Sequence, residues 1–285
     1  METGQAVMAG LFPAEGNRVW NASTEWQPTP MHTNGKGRED PLLKPTGVFC
    51  PNYEAIRKRD FHRLEMRMDK KYGGLFDWLS AETGMNVSFA NVKKLYDVDK
   101  EIMHSLPQPD WVYTSWEGEK VLNLIRELKR LSRMEDFNSF KKARFRGGYL
   151  LNDWLTRIEE VEVRKKTPKA VLYSSHDGTV ASLMHAMGVT DNQLVPFAGC
   201  FFVEVVRDEA NDLYVQMFYR NATLGDPQIL RLKNCSTECP VTDFIRLLEP
   251  NRIRSEIELK TICSCASNKG LMFFIYILLV KFASF

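Results

Sequence analysis

No stretch of these 285 residues is apolar for long enough to cross a bilayer. The longest unbroken run, Leu271 to Val280, has ten residues, about half of the roughly twenty a spanning helix needs. It reads as a truncated anchor, an interfacial segment or a gene-model artefact, and it permits membrane association through 271–280. Nor is there an excess of one charge. Lys and Arg total 38 against 36 Asp and Glu, interspersed, for a net charge of +2. That excludes the basic stripe a nucleic-acid partner would require. Histidine is scarce, with five in all. The opening Met1 to Gly10 lacks the basic start and apolar core of a secretory leader. It reads as the tail of a helix stopping at Gly10 and Pro13.

What is present is a chain that is 44% hydrophobic and 26% charged. It has the means to bury one large core, or a main domain with a smaller companion, which excludes a disordered chain. Six cysteines stand at 50, 200, 235, 239, 263 and 265. Cys235-x-x-x-Cys239 with Cys263-x-Cys265 admits a zinc reading, but the spacing suits metal poorly, and a local disulfide between Cys235 and Cys239 fits better. A disulfide implies an oxidising compartment. Sequons at Asn21, Asn86 and Asn221 agree with secretory glycosylation. Asn221 ranks first, since it follows an apolar run in a loop closed by Gly225-Asp226-Pro227, whereas Asn86 has more apolar surroundings. A secretory-looking body without a leader raises the expectation that the natural beginning lies upstream.

Along the chain, Trp20 and Trp26 to Thr33 look β-like, with Pro28 and Pro30 removing ladder donors. From about Asn52 to Lys166 the spacing predicts helices. Val121, Leu124, Ile125, Leu128 and Leu131 line one face, opposite Arg126, Glu127, Lys129 and Arg130. Leu150, Leu151, Trp154, Leu155 and Ile158 repeat that spacing after Gly147-Gly148. Both stripes are core packing. Beyond Pro168, Ala170 to Ser175 suits a buried strand, and Thr179 to Met187 suits a helix closed by Gly188. Phe201 to Val206 and Leu213 to Tyr219 suit a hairpin. The class is α/β, with a long helical insertion.

His176-Asp177 lies between the strand and the helix, where ligands gather in open α/β sheets. The histidine can donate to an anion beside a helix N-terminus. The aspartate is either an N-cap or a general acid; on position alone the cap is the commoner role.

Tyr173-Ser-Ser-His-Asp-Gly-Thr-Val180 resembles the His-Asp segment of the histidine acid phosphatase family. Ordered matches accompany it at Ala9 to Gly16, Trp26 to Thr33, Phe145-Arg-Gly-Gly148, Tyr219-Arg-Asn-Ala-Thr223 and Cys235 to Pro240. The resemblance implies a phosphohistidine-type α/β core formed by 1–50 and 167–252, and a mainly helical cap lobe at 51–166. The core would be short of its first central strand, and a divergent tail with a short apolar run would occupy 253–285. It implies phosphate monoester hydrolysis through a phosphohistidine, with His176 bonding the phosphoryl oxygens and Asp177 protonating the leaving alkoxide. No metal or other cofactor is implied, a homodimer is allowed, and the compartment would be lysosomal or extracellular.

The departures matter as much. These residues contain no Arg-His-Gly-x-Arg, the family's nucleophile motif, and none of His32, His62, His104, His176 or His185 stands where it could replace that nucleophile. His32 suits a strand end or pocket wall, and His185 suits packing. The family's pocket-lining aromatic falls at Val92, and a cysteine it expects falls at Glu101, which leaves Cys200 a free thiol. Cys50 would pair with Cys263 or Cys265. The competing expectation is an inactive truncated isoform or pseudoenzyme that acts as a binding protein.

Overall fold

The computed structural model describes residues 2–23, 26–27, 29–33, 35, 37–222 and 225–264. In chain order the helices are α1 (Glu2–Leu11), α2 (Pro51–Thr83), α3 (Asp97–Met103), α4 (Val121–Met134), α5 (Phe140–Glu162), α6 (Asp177–Met187), α7 (Val241–Leu248) and α8 (Glu256–Ser264). The strands are β1 (Ser115–Trp116), β2 (Glu119–Lys120), β3 (Cys200–Arg207), β4 (Leu213–Arg220), β5 (Gln228–Leu230) and β6 (Cys239–Pro240). The chain is an α/β protein in which helix predominates.

The expected helical stripes are core. Val121, Ile125 and Leu128 are buried, with Leu124 and Leu131 packed against them, in a cluster that α4 shares with Leu75, Phe76, Leu79 and Phe89. The second stripe belongs to α5. Leu150, Leu151, Leu155 and Ile158 pack with α6, α7 and the inner face of the sheet, where Val215, Met217 and Tyr219 alternate inward along β4. The hairpin is antiparallel from Cys200↔Arg220 to Arg207↔Leu213, and β5 and β6 pair with the other edge of β4. Its turn is closed by Asp208 N–H donating to the Asp212 carbonyl (3.0 Å), with Asn211 at φ 72°.

Two expected strands do not form. Residues 170–175 form no strand and have no ladder partner among the described residues, so apolar content alone does not bury them. Val171 is 39% and Leu172 55% exposed. The region from Trp20 to Thr33 is also without strand where described, and Trp20 and Trp26 are exposed, joined by Trp20 Nε1 donating to the Trp26 carbonyl (2.7 Å).

Cys235 and Cys239 are bonded, as are Cys50 and Cys263, which are 213 residues apart. The first bond consumes the thiolates that the zinc reading needed. The second ties α8 to the start of α2, where Cys50, Tyr53, Ile253, Leu259 and Cys263 form a small core. The divergent tail is therefore packed structure through Ser264. The apolar run 271–280 lies outside the described residues, and among those described no helix is long and apolar enough to cross a membrane.

Candidate active site

The site is positioned by α6, and α6 is positioned by Gly147 of α5. A Cβ on Gly147 would lie 2.2 Å from the Ser182 carbonyl oxygen and 2.7 Å from Ala186 Cβ. The two helix backbones therefore meet there with no room for a side chain. A Cβ on Gly148 would lie 2.5 Å from the Asn251 carbonyl oxygen, and Ile253 N–H donates to the Gly148 carbonyl (3.0 Å). One helix face thus receives α6 while the next residue receives the chain returning from α7.

At the exposed end of α6, His176 is the N-cap residue in extended conformation (φ −112°), and its side chain makes no cap hydrogen bond. Asp177 is the first helical residue. The N-cap reading of Asp177 is thereby corrected: its carboxylate is taken by Arg133 of α4, through Nη2 at 2.9 Å and Nε at 3.2 Å. The same guanidinium gives Nη1 to Asp136 (3.1 Å), and Asp136 also receives Arg57 Nε (2.6 Å). A chain of charge-assisted bonds, Arg57–Asp136–Arg133–Asp177, runs from α2 to α6. Behind it, Tyr53 O–H donates to the Asp136 carbonyl (3.0 Å), and Arg146 lies 3.8 Å from the Tyr53 ring centroid. Burial, with Asp136 adding to it, pushes the Tyr53 hydroxyl up to about 12.

Gly178 completes the fit, because a Cβ there would lie 2.5 Å from Arg133 Nη2. The approach to α6 is pinned on its other side. Ser175 Oγ bonds the Leu43 carbonyl and Thr179 Oγ1 (2.8 Å), and Thr179 Oγ1 donates to Leu43 O (2.9 Å). Both His176 and Asp177 are exposed, and the Asp177 side chain keeps 59% of its accessibility. The arrangement presents a carboxylate and several N–H donors side by side at an exposed helix start.

The other residues singled out in the sequence are scattered. His32, His62 and His104 are exposed, and His185 packs its ring 5.7 Å from that of Phe137. Val92 is fully buried under α4, Glu101 is exposed and accepts from Gln108 Nε2 (3.0 Å), and Cys200 is free and exposed. Asn21 and Asn86 are exposed, whereas Asn221 is only half-exposed, with Gln228 Nε2 at 3.5 Å from its Oδ1. The loop position of Asn221 therefore gives it no advantage in access. Sequence reasoning missed Arg133, Asp136 and the grouping of Lys129 with them. The available signal was the i, i+4 spacing of Lys129 and Arg133 on the polar face of α4.

Comparison with known proteins fits this geometry. The chain is 33% identical over 259 residues to a lysosomal acid phosphatase of Bos taurus, covering 86% of this chain and 58% of that protein. It is 33% identical over 250 residues to a prostatic acid phosphatase of Mus musculus, covering 85% and 64%. To the prostatic acid phosphatase of Homo sapiens it is 32% identical over 252 residues, covering 85% and 63%. The chain thus spans about three fifths of the length of these curated relatives. The model of the histidine phosphatase superfamily (branch 2) matches residues 1–220. With more than half the chain matched, and the His-Asp pair set at the mouth of a helix braced by α4 and α5, the chain belongs to the histidine phosphatase superfamily, branch 2.

Proposed function

We propose that this chain supplies the proton-donating side of a phosphate monoester hydrolase site that works through a phosphohistidine. Asp177 delivers its proton to the leaving alkoxide as the phosphorus–oxygen bond breaks, and later takes a proton from the water that releases phosphate. His176 and the first N–H groups of α6 donate to the phosphoryl oxygens. The helical segment 51–166 serves as a cap lobe, with α4 leaning Arg133 over the acid. The observation that carries this reading is the exposed His176–Asp177 pair at the start of α6. Two disulfides support an oxidising, secretory-pathway setting, as do relatives named lysosomal and prostatic acid phosphatases.

A specific observation favours a second reading for the polypeptide as it stands: residues 1–285 contain no Arg-His-Gly-x-Arg. Losing a covalent nucleophile costs about a millionfold in kcat where catalytic groups act as a unit. Purified residues 1–285 should therefore turn over a nitrophenyl phosphate at acidic pH no faster than an Asp177→Ala control. A family-like N-terminal segment carrying the motif, fused ahead of Met1, should restore Asp177-dependent turnover. A fused chain that stays inactive would refute the proposed role of Asp177. Robust Asp177-dependent turnover without the fusion would refute the inactive reading.

A further inference from the structure

Lys129 and Arg133 sit four residues apart on one face of α4 and share that face's outlook on Asp177. Arg133 is committed, with its guanidinium divided between Asp177 and Asp136. Lys129 is not. Its ammonium stands 5.8 Å from the ring centroid of Tyr96, the last residue of the 3-10 turn Val92–Tyr96, which packs against α4. That turn buries Val92 completely and turns the next side chain, Lys93, out to solvent. Where the family resemblance places an aromatic, at position 92, this chain has a valine turned inward and a lysine beside it turned outward.

The balance of charge there is positive. Among the described residues no carboxylate lies within ion-pair distance of Lys93 or Lys129. Asp97, next in the chain to Tyr96, is engaged by Lys100 at 3.2 Å. Burial first, then the neighbouring Arg133 and Lys93, hold Lys129 below the usual lysine range, against the opposing pull of Asp177 and Asp97. A half-buried cation crowded by two others gains most from an anion it does not yet have.

We infer that Lys93 and Lys129 form a subsite for a second anionic group of the substrate. The site would then favour phosphate monoesters whose leaving group carries a carboxylate or another phosphate over those with a neutral leaving group. This rests on the proposed phosphate-binding role of His176 and Asp177 and adds a leaving-group preference to it.

Binding can be read without turnover. The full 285-residue chain is titrated at low ionic strength with phenyl phosphate and with 4-carboxyphenyl phosphate, followed by 31P NMR or calorimetry. The carboxylate should tighten binding about fivefold, the scale of two partly exposed ion pairs. In the double variant Lys93→Gln, Lys129→Met the ratio of the two affinities should fall to about one. Lys233→Gln, an exposed lysine elsewhere, should keep the parent ratio. Melting followed by circular dichroism confirms that the variants are folded. Equal affinities in the parent chain, or a preference that survives the double substitution, would overturn the subsite. If phenyl phosphate binds in a His176-dependent manner while the carboxylate adds nothing, the subsite alone falls. If neither compound binds, the phosphate site falls with it.

Discussion

Residues 170–175 and 177–187 follow one another and are similarly apolar, yet they end in opposite environments. In α6, Leu183 and Met184 are 2% exposed and Ala186 is fully buried, whereas Val171 and Leu172, a few residues earlier, are 39% and 55% exposed. Hydrophobicity does not separate them; partners do. A helix satisfies its own backbone and needs only a surface to lie on, which α5 provides at Gly147. A strand needs a second strand alongside for its N–H and C=O groups, and none is placed there among the described residues. The segment is held at alternate positions instead. Arg157 Nε donates to the Tyr173 hydroxyl (2.8 Å), which also bonds Asp153, and Ser175 is tied to Leu43 and Thr179. The neighbours of Asp177 are therefore fixed by point contacts on one side and by close packing on the other.

The packed side should be the more sensitive. Gly147→Val puts a branched side chain where even a Cβ would stand 2.2 Å from a backbone oxygen, and it should cost about 3 kcal/mol or more in urea unfolding. Gly10→Ala in α1, where a Cβ meets nothing within 4 Å, should be neutral or stabilising by up to about 1 kcal/mol. A Gly147→Val chain that unfolds with the parent's midpoint would mean that α5 and α6 are not in contact in solution.

A smaller effect is tied to pH. His185, inside α6, is held down to about 4, by burial first; Asp191 opposes the shift and Lys142 adds to it. Its Nε2 is buried without a hydrogen-bond partner. With the folded value below the unfolded value of about 6.5, the unfolded chain binds more protons between those limits. The stability contribution is then complete above pH 6.5 and is lost as pH falls towards 4. The loss should be on the order of 2–3 kcal/mol by linkage. Unfolding curves from pH 7 to pH 4 should show it, and His185→Phe, which stacks on Phe137 without titrating, should flatten that part of the profile. An unchanged slope in His185→Phe would place the titrating group elsewhere.

The same contrast explains what could be read from the sequence. Helices α4, α5 and α6 and the β3–β4 hairpin were legible because their signals are local: a 3.6-residue period, a stop at Gly188, and two alternating runs around a polar turn. The His-Asp pair was legible because its neighbours in the chain carry it. The strand expected at 170–175 was not decidable, since burial of an extended run depends on residues far away. The resemblance narrowed the partner of Cys50 to Cys263 or Cys265, and packing decides for Cys263, 213 residues away; the Arg133 grip on Asp177, across 44 residues, is a fact of packing alone. The choice between cap and acid at Asp177 stayed open on position alone for the same reason: nothing near it in sequence announces a guanidinium.

The smallest expected effect tests the other half of the comparison. If Val171 and Leu172 face solvent as they do here, replacing them with Thr and Gln removes little buried apolar area. Stability should then change by no more than about 0.5 kcal/mol. Backbone outside any ladder, with exposed apolar side chains, can recruit other chains much as an open sheet edge does. The double substitution should accordingly lower the aggregation rate in light scattering while leaving the unfolding midpoint in place. Leu183→Ala in α6 supplies the scale, since a fully enclosed leucine of this kind costs about 2–5 kcal/mol. A loss approaching that scale for Val171→Thr, Leu172→Gln would show that something covers this face in solution. The two segments would then differ in which partner buries them, and no longer in whether one does.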